Sequence, residues 1–158
     1  MSNLPLAGYP IYQPFKPALT PGGVPVHSGV DIAAPKGTPF TLPYNGVVTA
    51  VGADPVMGYD YGNYFEVKYD GGYYAFGAHL NWYPLVRVGD RITANKTDIG
   101  YVGDTGLSFG DHLHYSIFKK HLDRTTAIDP ETYTIKAGTG STATPGTIER
   151  RMRTTWLG

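Results

Sequence analysis

Tyr64-Phe65-Glu66-Val67-Lys68-Tyr69-Asp70-Gly71-Gly72-Tyr73-Tyr74-Ala75-Phe76 is two aromatic, β-prone runs on either side of an Asp-Gly pair. Both turn positions of such a pair tolerate positive φ, so the runs read as antiparallel neighbours joined by a tight hairpin. Upstream, Val47-Val48-Thr49-Ala50-Val51 follows Gly46 and reads as another strand. Downstream, residues 86–92, 99–103 and 112–118 give further short strands broken by glycine. No stretch keeps a helical period over three turns. The expectation is an all-β fold with few or no helices.

Composition supports this class. The 158 residues suffice for one domain with a real core, and 21 Gly, 13 Pro and 13 Tyr favour turns and aromatic strands over long helices. Thirteen Lys and Arg balance thirteen Asp and Glu, which argues against a nucleic-acid-binding basic field. No apolar window is long enough for a membrane span. Cysteine is absent, so a metal would have to be held by His, Asp or Glu.

Three regions are expected. Residues 1–24 are a Pro-rich leader, extended because prolines at 5, 10, 14, 17 and 21 exclude helix interiors. Residues 25–135 form the body. Residues 136–158 shift to Gly, Ser, Thr and Ala and read as a basic tail, with four Lys or Arg against Glu149 alone. The first ten residues have neither the basic nor the apolar region of a secretory signal.

The histidines carry the chemistry. In His112-Leu113-His114, residues two apart on a strand share a face, so the imidazoles project side by side. An isolated pair of this kind is most often a surface or packed pair. In His27-Ser28-Gly29-Val30-Asp31, an imidazole and a carboxylate lie four apart in a segment that Pro25, Gly29 and Pro35 keep from being a long helix. A loop or bent strand can turn both toward one point, and a turn-capping carboxylate is the competing reading. A catalytic zinc takes three such ligands and leaves a position for water.

These residues sit in a wider pattern. Residues 25–39 around His27 and Asp31, Gly77-Ala78-His79-Leu80, Val88-Gly89-Asp90, and Gly100-Tyr101-Val102-Gly103-Asp104-Thr105-Gly106 followed by Gly110-Asp111-His112-Leu113-His114 resemble the lysostaphin/LytM-type zinc endopeptidases, in the family's order. The resemblance implies a two-sheet, mainly antiparallel β fold with a groove floored by one zinc ion. It implies His27, Asp31 and His114 as metal ligands and His79 and His112 as catalytic residues. It further implies hydrolysis of peptide bonds in bacterial peptidoglycan, in stem peptides or cross-bridges, outside the cytoplasm.

Two imidazoles beside a metal suit amide hydrolysis, which needs an activated water, a stabilised oxyanion and a proton for the departing amine. The alternative is a non-catalytic wall-binding or amidase-activating module of the same fold, disfavoured because all five positions are intact. A phage particle or lysis system is the expected means of delivery, with virion or lysis partners engaged through the leader or tail. His121 reads as an ordinary surface histidine and Asp111 as a solvent contact, while Tyr59, Tyr61 and Trp82 are candidate substrate-contacting aromatics.

Overall fold

The computed structural model describes residues 3–135. The hairpin forms as its sequence dictates: β5 (Asn63–Tyr69) pairs antiparallel with β6 (Tyr74–Leu80), and Gly72 takes a φ of 100° in the turn. β4 (Gly46–Gly52) flanks β5, and β9 (Leu113–Phe118) flanks β6. With β1 (Ile11–Gln13), β2 (Val30–Ile32), β7 (Arg91–Ile92) and β10 (Ala127–Ile128) they build one antiparallel sheet in the order β1-β2-β9-β6-β5-β4-β7, with β10 also on β9. A second, two-stranded sheet pairs β3 (Pro39–Phe40) with β8 (Gly100–Tyr101). The only helical elements among the described residues are two three-residue 3-10 turns, Arg124–Thr126 and Pro130–Thr132. None is long and apolar enough to cross a membrane.

The all-β expectation therefore holds, with shorter strands in one region. Of residues 86–92, only Arg91 and Ile92 are strand; Gly89 takes a φ of 95° and Asp90 accepts from the Arg87 amide, so this segment turns instead of extending. The leader contributes β1, which adds to the edge of β2. The tail from residue 136 lies outside the described residues.

Strand alternation divides the main sheet's side chains between two layers. Leu113, Tyr115 and Ile117 of β9 and Ala75 of β6 enter the main core with Val30, Phe65 and Val67. On the opposite face, Phe76, Ala78 and Phe118 pack with Tyr61 in a smaller aromatic layer. A cleft bordered by Tyr61 lies on that second face.

Candidate active site and metal centre

Asp31 and His114 are register partners across the β2–β9 ladder, so they emerge on one face. Close strand approach makes this possible. A Cβ on Gly29 would stand 2.3 Å from the Tyr115 carbonyl oxygen, so only glycine lets β2 settle against β9 there. His112, two residues before His114, shares its face by the strand period, as the H-x-H spacing predicts.

His79 reaches the same place by a different route. Along β6, Ala75 faces the main core, Phe76 and Ala78 face the aromatic layer, and Leu80 faces the main core again. Strict alternation would send His79 into the core with Ala75. A β-bulge opposite Asn63–Phe65 and a φ of 66° at His79 itself re-aim the ring toward His112 and His114, at centroid separations of 5.1 and 6.1 Å.

His27 is held by the leader. Its backbone pairs with Lys16, and its Nδ1–H donates to the Pro14 carbonyl at 2.8 Å, which turns Nε2 toward Asp31. His27, Asp31 and His114 thus converge with ligand atoms all within 4.8 Å of one another, a group that can hold a metal ion. One oxygen, Asp31 Oδ1, is the hub: 3.2 Å from His27 Nε2, 3.1 Å from His114 Nδ1 and 3.5 Å from His112 Nε2.

The outer nitrogens are all occupied. A carbonyl can only accept, so Thr105 fixes the proton of His79 on Nδ1 at 2.7 Å and Gly110 does the same for His112 at 2.8 Å. This leaves the Nε2 lone pair of His79 for the cleft, whereas Nε2 of His112 faces Asp31 Oδ1. His114 is reversed: Nδ1 faces Asp31 and Nε2 meets the buried Ser116 hydroxyl at 2.9 Å. Such outer partners orient metal-binding imidazoles and fix their tautomers.

Burial and pairing set the charges. Burial alone would raise the Asp31 pKa, but hydrogen bonds from His114 and His27 outweigh it and hold the carboxyl well below its usual range. Burial pushes His114 down despite Asp31. His27 is less enclosed, so its bonds to Asp31 and Pro14 overcome desolvation and its pKa rises. Burial lowers His79 to about 4, against the opposing Thr105 carbonyl.

All five expected residues line one cleft of about 300 Å³. Tyr59 and Tyr61 line it too, whereas Trp82 does not; it is exposed and packs edge-on against Tyr101. Asp111 is exposed, in keeping with its reading as a solvent contact. His121 is an exposed turn histidine outside the cleft, as expected, with one added structural contact. It is half exposed yet bonds the fully buried Glu66 carboxylate, which also accepts from Thr49 Oγ1 and the Leu122 amide. Sequence reasoning missed Tyr12, Arg124 and Ser116. Only Ser116 had a readable signal, two positions beyond His114 on the same strand face.

The family model for peptidase family M23 matches residues 25–130. The chain is 31% identical over 148 residues to glycyl-glycine endopeptidase ALE-1 of Staphylococcus capitis, covering 93% of this chain and 39% of that protein. Among solved structures, a zinc-containing peptidase from Vibrio cholerae superposes with a TM-score of 0.68 at 27% identity, over 85% of this chain and 40% of that one. The catalytic domain of a prophage-encoded M23 protein, EnpA of Enterococcus faecalis, superposes with a TM-score of 0.65 at 26% identity, over 80% and 92% respectively. The matches span about a fifth to two fifths of the curated relatives' own length. With a family match over most of its length and a His-Asp-His cluster on the face of an antiparallel sheet, the chain belongs to peptidase family M23.

Proposed function

We propose that the protein is a zinc-dependent endopeptidase that hydrolyses peptide bonds in bacterial cell-wall peptidoglycan, acting outside the cytoplasm. The observation that carries this reading is the convergence of His27, Asp31 and His114 in one cleft with His79 and His112 beside them. Family membership and similarity to a glycyl-glycine endopeptidase support the substrate class. The fold and site support 25–135 as the catalytic unit, between a leader at 1–24 and a tail at 136–158.

The donor set fits zinc. Ligands about 2.0–2.1 Å from a tetrahedral ion stand about 3.4 Å apart, and the His27–Asp31 and His114–Asp31 separations are 3.2 and 3.1 Å. His27, Asp31 and His114 would hold the ion, which when bound supplies Lewis-acid polarisation and a water of lowered pKa. The chain's own residues do the rest. His79 is neutral near pH 7, with its Nε2 lone pair directed into the cleft and its Nδ1 proton fixed on Thr105. His112 likewise carries its proton on Nδ1, with Nε2 3.5 Å from Asp31 Oδ1. A neutral imidazole here can accept a proton at Nε2, and once protonated it can donate from that nitrogen to the developing oxyanion and pass the same proton to the departing amine. Likeness to a prophage-encoded M23 protein supports delivery by a phage particle or lysis system, with virion or lysis partners.

The test is digestion of purified peptidoglycans of different cross-bridge chemistry by zinc-loaded protein, with fragments identified by mass and a chelated control. New amino termini that vanish on chelation and return with zinc are expected. Wall binding without any new amino terminus would replace this reading with the non-catalytic module.

A further inference from the structure

Arg124 opens the 3-10 turn after β9, and among the described residues it is the only Lys or Arg that lines the cleft. Its guanidinium lies over the Tyr59 ring, with Cζ 5.8 Å from the centroid, and Nη1 is 3.5 Å from the Tyr61 hydroxyl. The Tyr59 and Tyr61 rings are 4.6 Å apart, and Tyr61 lies 5.6 Å from the His114 ring. An aromatic wall therefore runs from the metal-binding cluster to a single cation.

Among the described residues, no carboxylate pairs with that cation. The adjacent Asp123 carboxylate is turned into the 3-10 turn, where Oδ1 accepts from the Thr125 amide at 3.1 Å and the Thr125 hydroxyl at 2.6 Å. The guanidinium lies over the face of Tyr59 and makes one long contact to the Tyr61 hydroxyl, while most of its five donors stay uncommitted. A guanidinium fork over an aromatic face, with donors to spare, suits bidentate capture of a carboxylate.

We propose that Arg124 is a specificity-determining residue that binds a free carboxylate of the peptide substrate close to the scissile amide. This rests on the peptidase reading and narrows its substrate class. Stem-peptide cross-links bearing a free carboxylate near the cut are preferred over carboxamide forms and over oligoglycine bridges, which have no side-chain charge to offer.

Two synthetic cross-linked stem peptides, alike except for a free carboxylate or a carboxamide next to the scissile bond, test this on the zinc-loaded full chain. The kcat and KM for each are measured, and calorimetry gives the affinities of the acid and amide peptides. Wild type is expected to favour the acid by about tenfold or more, mainly through KM and Kd. Arg124→Gln brings the acid-to-amide ratio close to one, and Arg124→Lys restores part of it. Equal handling of the two peptides by wild type overturns the proposal. So does an equal loss on both in Arg124→Gln, which is what a residue that merely props Tyr59 and Tyr61 would give. If neither peptide is cut, the binding measurements decide: acid selectivity that disappears in Arg124→Gln sustains Arg124 and removes the peptidase reading, while unselective binding overturns Arg124.

Discussion

Asp31 Oδ1 stands 3.1 Å from His114 Nδ1 across the β2–β9 ladder, and the same oxygen stands 3.2 Å from His27 Nε2. The cluster is therefore built on one carboxylate oxygen, with two imidazoles brought to it from different parts of the chain. Loss of His114 and loss of His79 should consequently fail in different ways. His114→Ala removes a donor from the cluster, so stoichiometric zinc and wall hydrolysis should both be lost. His79→Ala leaves the cluster intact, so zinc should remain while kcat falls by about 10²- to 10⁴-fold. Metal content by elemental analysis beside turnover of a soluble wall fragment separates the two, and equal zinc loss in both variants would contradict the assignment.

Ser116 has no role in the chemistry itself and a definite one in holding His114. Its buried hydroxyl meets His114 Nε2 at 2.9 Å and orients the ring so that Nδ1 faces Asp31. Ser116→Ala should lower zinc affinity about 10- to 100-fold. Cleavage should recover at excess zinc, because every donor of the cluster survives. Competition with a chromophoric chelator measures the affinity, and Ser116→Thr, which keeps a hydroxyl, should retain more of it than Ala.

Metal-free protein should lose stability between pH 6.5 and 4. Burial holds the folded pKa of His79 near 4, below the 6.5 of an exposed imidazole. Between these values the unfolded chain binds the proton and the folded chain does not, so stability is full above 6.5 and falls as pH drops. His114 is shifted in the same direction, and His27, whose pKa is raised, works against both. The fall contributed by Asp31 lies lower, beneath its unfolded value of 3.8. Urea midpoints of zinc-free protein across this window should show the decline, and His79→Gln should flatten it. An unchanged slope in that variant would remove His79 as its source.

Local rules made only the pairing of neighbouring residues legible, and the ligand set and the roles of His79 and His112 came from the family resemblance. His112 and His114 follow the strand period, and Asp31 lies four residues from His27 in a segment that glycine and proline keep open. The hairpin at Asp70-Gly71-Gly72 was equally local. What could not be read depends on distant partners. The bulge that re-aims His79 is a mismatch with Asn63–Phe65, visible only once β5 and β6 are paired. Arg124 enters the cleft because a 3-10 turn returns it to Tyr59 and Tyr61, more than sixty positions earlier. The turns within residues 86–92 were missed because a Val-x-Val run satisfies the strand pattern until Gly89 and Asp90 bend it.

Glu66 is the largest departure from a simple apolar sheet. Its carboxylate is fully buried and fastened to Thr49, His121 and the Leu122 amide, so it ties the segment after β9 to β5. Glu66→Ala leaves the Leu122 amide without this acceptor and opens space beneath the sheet. A loss of about 2–4 kcal/mol is expected in denaturant unfolding. Zinc affinity should change little, because Glu66 makes none of the contacts of the metal-binding cluster. His121→Ala should cost less, since its half-exposed ring is only one of three partners.

Gly29→Ala tests whether close contact between β2 and β9 is what builds the site. The new Cβ would lie 2.3 Å from the Tyr115 carbonyl oxygen and 2.5 Å from Ser116 Oγ, inside any tolerable contact. Tyr115 belongs to a strand paired on both sides and cannot retreat, so β2 must lift and carry Asp31, two residues on, away from His114. A stability loss of about 3 kcal/mol together with a large fall in zinc affinity is expected. Gly72→Ala provides the contrast. It strains a turn with a φ of 100° but meets no atom within 4 Å, far from the cluster. It should cost about 1–2 kcal/mol and leave zinc binding intact. If Gly29→Ala bound zinc as tightly as Gly72→Ala, the strand contact would not be what sets the geometry around Asp31.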